Sequence, residues 1–184
     1  MNFKSGFVFL LFTLIISSCA LYEPQYRNEG FVKEFPIDKK PEKIFYLVGD
    51  AGKSPMGGKS EGLMIFEKFL ENNPTSGNYT LFLGDNIYPI GMEPKDSPKR
   101  KYTENMIDAQ YETVKNFDGE VIFIPGNHEW YNGGLPGVKR EEDYVEMKFN
   151  NRDAFRPSNG CPIESIEVSE NIQLIMIDSQ WYLA

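Results

Sequence analysis

The chain has 184 residues, a formal charge of −8 and 41% hydrophobic residues, the balance of an ordinary globular protein with one domain as the starting expectation. Acidic residues outnumber basic ones by 27 to 19, which argues against a nucleic-acid partner, since that binding needs Lys and Arg to neutralise phosphates. Small anionic substrates stay open, because a bound metal inverts the local field.

The chain opens with Lys4 and an apolar run over residues 7–16, too short to span a bilayer as a helix and of the right length for a signal-peptide core. Ile16-Ser17-Ser18-Cys19 follows, and it resembles the lipobox of bacterial lipoproteins. The resemblance implies cleavage before Cys19, lipidation of its thiol, and a chain exported and anchored on the periplasmic or surface side of a bacterial envelope. An ordinary secretory signal cut near the same small residues is the alternative. Residues 19–42 mix charge, Pro and scattered aromatics without period, and read as a tether. With Cys19 so assigned, Cys161 is the one thiol left; it has no disulfide partner and reads as a small loop residue.

The run 44–48 reads as a strand and ends in Gly49-Asp50. A glycine-rich loop leads to Ser60, a helix cap, and then to Leu63, Phe66 and Leu70 at helical spacing; Asn72-Asn73-Pro74 ends that helix. The second strand, 81–83, runs into Gly84-Asp85-Asn86-Ile87-Tyr88. Residues 89–101 form a polar connection with three prolines, and Ile107, Tyr111 and Val114 mark a second amphipathic helix closed by residues 116–119. The third strand, 121–125, runs into Gly126-Asn127-His128, with a flexible loop expected over 129–134. The charges of 141–149 read as the solvated face of a helix. Ile166 and Val168 alternate with polar residues, Glu170-Asn171 can turn, and 172–177 is apolar before Asp178, an antiparallel pair that opens a second sheet.

Strands alternating with helices predict an α/β fold with a parallel sheet. Ligands bind outside the carboxyl ends of such strands, so Asp50, Asp85, Asn127 and His128 are expected on one rim. Each Gly-Asx pair alone is an ordinary turn. Three of them, each after an apolar strand and the last extended by His128, point to a site. Oxygen donors with an imidazole suit hard or borderline cations, and two such ions can activate a water for in-line attack on phosphorus.

Gly49-Asp50, Gly84-Asp85-Asn86 and Gly126-Asn127-His128-Glu129 together resemble the signature of the calcineurin-like metallophosphoesterases. Asp50-Ala51-Gly52, and Tyr88 three residues after Asp85, resemble the purple, tartrate-resistant acid phosphatases among them. The resemblance implies an α/β/β/α sandwich, of which 43–184 would be the N-terminal portion, and hydrolysis of a small phosphorylated substrate. It implies two metal ions, iron paired with iron, zinc or manganese. Asp50 and Tyr88 would bind a ferric ion, Asp85 would bridge, Asn127 would bind the second ion, and His128 would assist the phosphoryl or leaving group. Tyr88 also reads simply as an aromatic packed on the rim. Glu129 stands where an Asp is more common, and Asp178 is assigned no role.

The family completes its site with later histidines, whereas this sequence holds one histidine in all. The chain is therefore expected to be a front fragment of a longer enzyme, weakly active or inactive alone, or a lipoprotein that keeps the fold as a binding module. A third reading is a nucleotide-binding P-loop, suggested by Gly58-Lys59-Ser60 at a helix start. Its spacing fails, because the first glycine should fall at Lys53, and it leaves Asp85, Asn127 and His128 unexplained.

Overall fold

The three apolar runs become parallel strands, β1 (Phe45–Val48), β2 (Tyr79–Phe82) and β3 (Glu120–Phe123), hydrogen-bonded in the order β1-β2-β3. The computed structural model describes residues 39–184; the expected signal peptide, Cys19 and nearly all of the tether lie outside them. Parallel neighbours require a crossover, and here both crossovers are helical. Helix α1 (Glu61–Glu71) joins β1 to β2, and α2 (Arg100–Val114) joins β2 to β3. Ser60 caps α1 as expected, its Oγ accepting from the Leu63 amide at 3.3 Å. Leu63 and Leu70 are buried, with Phe66 packed partly against them.

Side chains of the sheet alternate between two cores. Phe82 and Phe123, stacked with centroids 4.4 Å apart, face the helices together with Tyr46, Met106, Ile107 and Val145. Leu81 and Ile122 point the other way and pack on Met176. That residue belongs to β5 (Ile172–Ile177), which pairs antiparallel with β4 (Ile163–Ser169) across the expected turn. The result is the expected α/β fold, with helices over one face of a parallel sheet and a small antiparallel sheet over the other.

Two expectations are overturned between β3 and β4. Residues 127–130 form a short helix, α3 (Asn127–Trp130), where a flexible loop was expected to begin at Glu129. Its Glu129 is fully buried. Helix α4 (Leu135–Phe149) starts six residues before the charged stretch at 141, with Pro136 in its first turn. Glu141 and Glu142, read as part of a solvated face, are buried. Charge alone misled there, because hydrogen-bond donors inside the fold meet both carboxyls: Asn86 Nδ2 donates to Glu141, and the Asn159 amide to Glu142. Cys161 is exposed and free, in keeping with a loop residue.

The register aligns Val48 with Phe82 and Phe82 with Phe123. Asp50, Asp85 and Asn127 therefore stand two, three and four residues beyond the same level, a line running obliquely across the strand ends.

Candidate active site

The strand ends are laced together by backbone. The Asp50 amide donates to the Gly84 carbonyl at 3.3 Å, Gly52 to Asp85 at 3.0 Å, and Tyr88 back to Gly52 at 2.9 Å. This lacing forces Asp50 and Asp85 into the left-handed region, with φ of 55° and 54°. Asp tolerates that conformation better than most residues, at a cost of roughly 1 kcal/mol each. Close approach needs glycine at Gly126, where an added Cβ would lie 2.3 Å from Asp85 Oδ1.

Glu129 is the buried hub beneath these turns. Its Oε2 accepts from the Gly126 amide at 2.6 Å and the Asp85 amide at 3.0 Å, and its Oε1 from the Ile87 amide at 3.1 Å. Burial outweighs these three bonds and pushes its carboxyl up to about 7. The Gly126 bond is half of a capping box, and a Glu three residues after a cap is the sequence signal that could have revealed it.

The expected site residues converge. The Tyr88 hydroxyl donates to Asp85 Oδ2 at 2.8 Å and also contacts Asp50 Oδ1. His128 Nε2 lies 3.8 Å from Asp85 Oδ2, and the His128 amide donates to Asp85 Oδ1 at 3.3 Å. Asn127 lines one open cleft of about 500 Å³ with Asp50, Asp85 and Tyr131. The reading of Tyr88 as rim packing alone does not describe its place, since its hydroxyl lies between two carboxylates. That position, with Asp50 as the largest cause, then burial and Asp85, pushes the phenol well above the usual tyrosine range.

Neighbouring contacts orient the polar atoms. His128 Nδ1 stands 2.5 Å from the Pro89 carbonyl. A carbonyl can only accept, so Nδ1 carries the hydrogen and Nε2 is the nitrogen turned to the chemistry. Asn127 Nδ2 donates to the Tyr131 hydroxyl at 2.5 Å, which leaves the amide oxygen as a donor atom for a cation. Trp130 Nε1 donates to Asp178 Oδ2 at 2.9 Å, so buried Asp178 ties the end of β5 to the site helix, a link the sequence did not show.

The sequence model of the calcineurin-like phosphoesterase family matches residues 43–174. The chain belongs to this family. Its members typically bind two metal ions and hydrolyse phosphoric esters. Neither a curated protein nor a solved structure matches the chain significantly.

The candidate site is short of hydrogen-bond donors. One phenolic hydrogen faces the carboxylates of both Asp50 and Asp85, a deficit that a cation would relieve. The donors are all oxygen, apart from the single imidazole, as hard cations prefer. Among the described residues no three His, Cys, Asp or Glu side chains form a group able to hold an ion by themselves. A cleft of about 400 Å³ does lie at Gly57, Gly58 and Lys59, but the groups a P-loop would turn to phosphate are already engaged: Lys59 Nζ by Glu67 at 2.5 Å and the Glu112 carbonyl at 3.1 Å, and the Gly57 amide by Asn105.

Proposed function

We propose that the chain carries the front half of a two-metal phosphatase site of the purple acid phosphatase type, acting on a small phosphorylated substrate. Asp50 and Tyr88 would hold a ferric ion, Asp85 would bridge, and Asn127 would hold iron, zinc or manganese. The observation that carries the reading is the Tyr88 hydroxyl placed between the Asp50 and Asp85 carboxylates, where one hydrogen serves two anions. Bound ions would acidify a water to a pKa near 7 and neutralise phosphoryl charge. His128, with Nδ1 fixed on the Pro89 carbonyl, presents Nε2 to the phosphoryl oxygens, and a proton held on Nε2 can pass to the leaving oxygen.

Asp50, Asp85, Tyr88 and Asn127 supply fewer ligands than two ions need, and the sequence has one histidine. The reading therefore requires imidazoles from a longer chain, and little activity is expected of these 184 residues alone. The same shortage favours, as a second reading, an envelope protein that has kept the scaffold and lost the chemistry. For either, the lipobox resemblance at Cys19 supports anchorage to a bacterial membrane.

The test is p-nitrophenyl phosphate hydrolysis by this chain and by the longest reading frame that contains it, with metals counted by mass spectrometry. Turnover that needs metal and disappears in Asp85→Asn and His128→Ala supports the phosphatase. Metal-free protein without turnover in the longest frame leaves the scaffold reading.

A further inference from the structure

Behind the rim lies a buried polar network that the proposed reaction does not use. Glu141 on α4 is fully buried, and its Oε1 accepts from Asn86 Nδ2 at 3.0 Å. The same Asn86 amide donates to the Ile124 carbonyl at 2.9 Å, while the Asn86 carbonyl accepts from Gln110 Nε2 on α2 at 2.8 Å. The residue next to Asp85 is thus tied at once to α2, to α4 and to the chain just after β3.

Three buried oxygens of this network, Glu141 Oε2, Asn86 Oδ1 and Gln110 Oε1, lack a hydrogen-bond partner. Buried acceptors without donors are costly, so the network is short of hydrogens. A protonated Glu141 adds one without any further atom. Burial, then the neighbouring Glu129 carboxylate, raises the Glu141 carboxyl well above the usual carboxylate range, in keeping with a neutral group.

We propose that Glu141 is a positioning residue for the site: by holding the Asn86 amide it fixes the left-handed turn that aims Asp85 into the cleft. It touches neither Asp85 nor the cleft itself. Its grip acts through Asn86 on the 85–87 backbone, whose amides at Asp85 and Ile87 then meet Glu129. Asn86 is the middle residue of that turn and has no other role in the chemistry. This assignment rests on the reading of Asp85 as a metal ligand, and the test separates the two.

Amide hydrogen exchange is measured on the metal-free full chain, as wild type, Glu141→Gln and Glu141→Met, followed by Mn²⁺ titration. Gln keeps an acceptor for Asn86 and, like a neutral carboxyl, brings donor hydrogen, two N–H in place of one O–H, whereas Met fills the space with neither an oxygen nor a donor. Glu141→Gln is expected to keep the protection of the Asp85, Ile87 and Gly126 amides. Glu141→Met is expected to speed their exchange at least 10-fold while the β2 and β3 ladder is unchanged, and to weaken Mn²⁺ binding about 10-fold, the usual scale for partners behind a ligand. Unchanged exchange in Glu141→Met, or faster exchange in Glu141→Gln, overturns the assignment. Should Glu141→Met fail to fold, Glu141→Leu removes the same acceptor while leaving the bond from Asn86 to the Ile124 carbonyl, and is read the same way. Wild type carried in the longest reading frame that still binds no Mn²⁺ sinks the metal reading, and the exchange pattern still decides the role of Glu141.

Discussion

The Tyr88 hydroxyl lies 2.8 Å from Asp85 Oδ2 while also contacting Asp50, so a single hydrogen links residues from two strand ends. Tyr88→Phe keeps the ring and its place 4.3 Å from the His128 ring but leaves the two carboxylates unbridged. We expect ferric ion to bind the variant at least 10-fold more weakly, since lost partners of a ligand already cost that much. Any visible absorption of an iron-bound phenolate disappears with it. Titration with ferric ion followed by absorption checks both; unchanged colour and affinity remove Tyr88 from the ligand set.

Gly52 is fixed by sterics. A Cβ there would lie 2.5 Å from the Asn86 carbonyl carbon, the Asp85 oxygen and the Ile87 nitrogen, all backbone atoms that cannot swing aside. Gly52→Ala should therefore cost roughly 1–3 kcal/mol, the range for overpacking. Urea denaturation reads the loss, and an unchanged midpoint would mean that the two turns are looser than they stand.

Glu129→Ala leaves three amides, of Gly126, Asp85 and Ile87, without their acceptor in a buried place. Each orphaned donor costs about 1–3 kcal/mol, so a loss of about 3 kcal/mol or more is expected. A loss under about 1 kcal/mol would show that water takes over these amides.

Glu129, Glu141 and Asp178 all have carboxyls raised by burial, Glu129 to about 7. A group that binds its proton more tightly when folded stabilises the fold below its unfolded pKa, near 4.5 for Glu. That stability fades as pH rises towards the folded value. The melting temperature of the metal-free chain should therefore climb as pH falls from about 7 to about 5. Glu129→Gln should flatten the climb; a melting temperature that falls over the same interval would contradict it.

How far the sequence revealed all this depended on the kind of signal. The strands and crossover helices followed from apolar runs and from Leu63, Phe66 and Leu70 at helical spacing, because burial of one face is written in residue type. Asp50, Asp85 and Asn127 could be placed on the rim because each follows a glycine at a strand end, and His128 because it extends the last of these pairs, where topology fixes the place. Glu141 was misread, since a buried carboxyl differs from a solvated one only through partners such as Asn86, 55 residues away in the chain. Glu129 was noticed as a motif variant, but its three amide contacts depend on turns that fold from other segments.

The oblique line of Asp50, Asp85 and Asn127 also sets an order in time. Synthesis delivers the two carboxylates first, each at the end of its own strand, and delivers Glu129, which fastens the Asp85 turn, only after the second crossover. A half-made chain thus exposes the acids without the clamp that gives them their geometry. On the proposed reading, any capture of an ion would follow the docking of β3, and the cation would then act as a latch across three separately made strands.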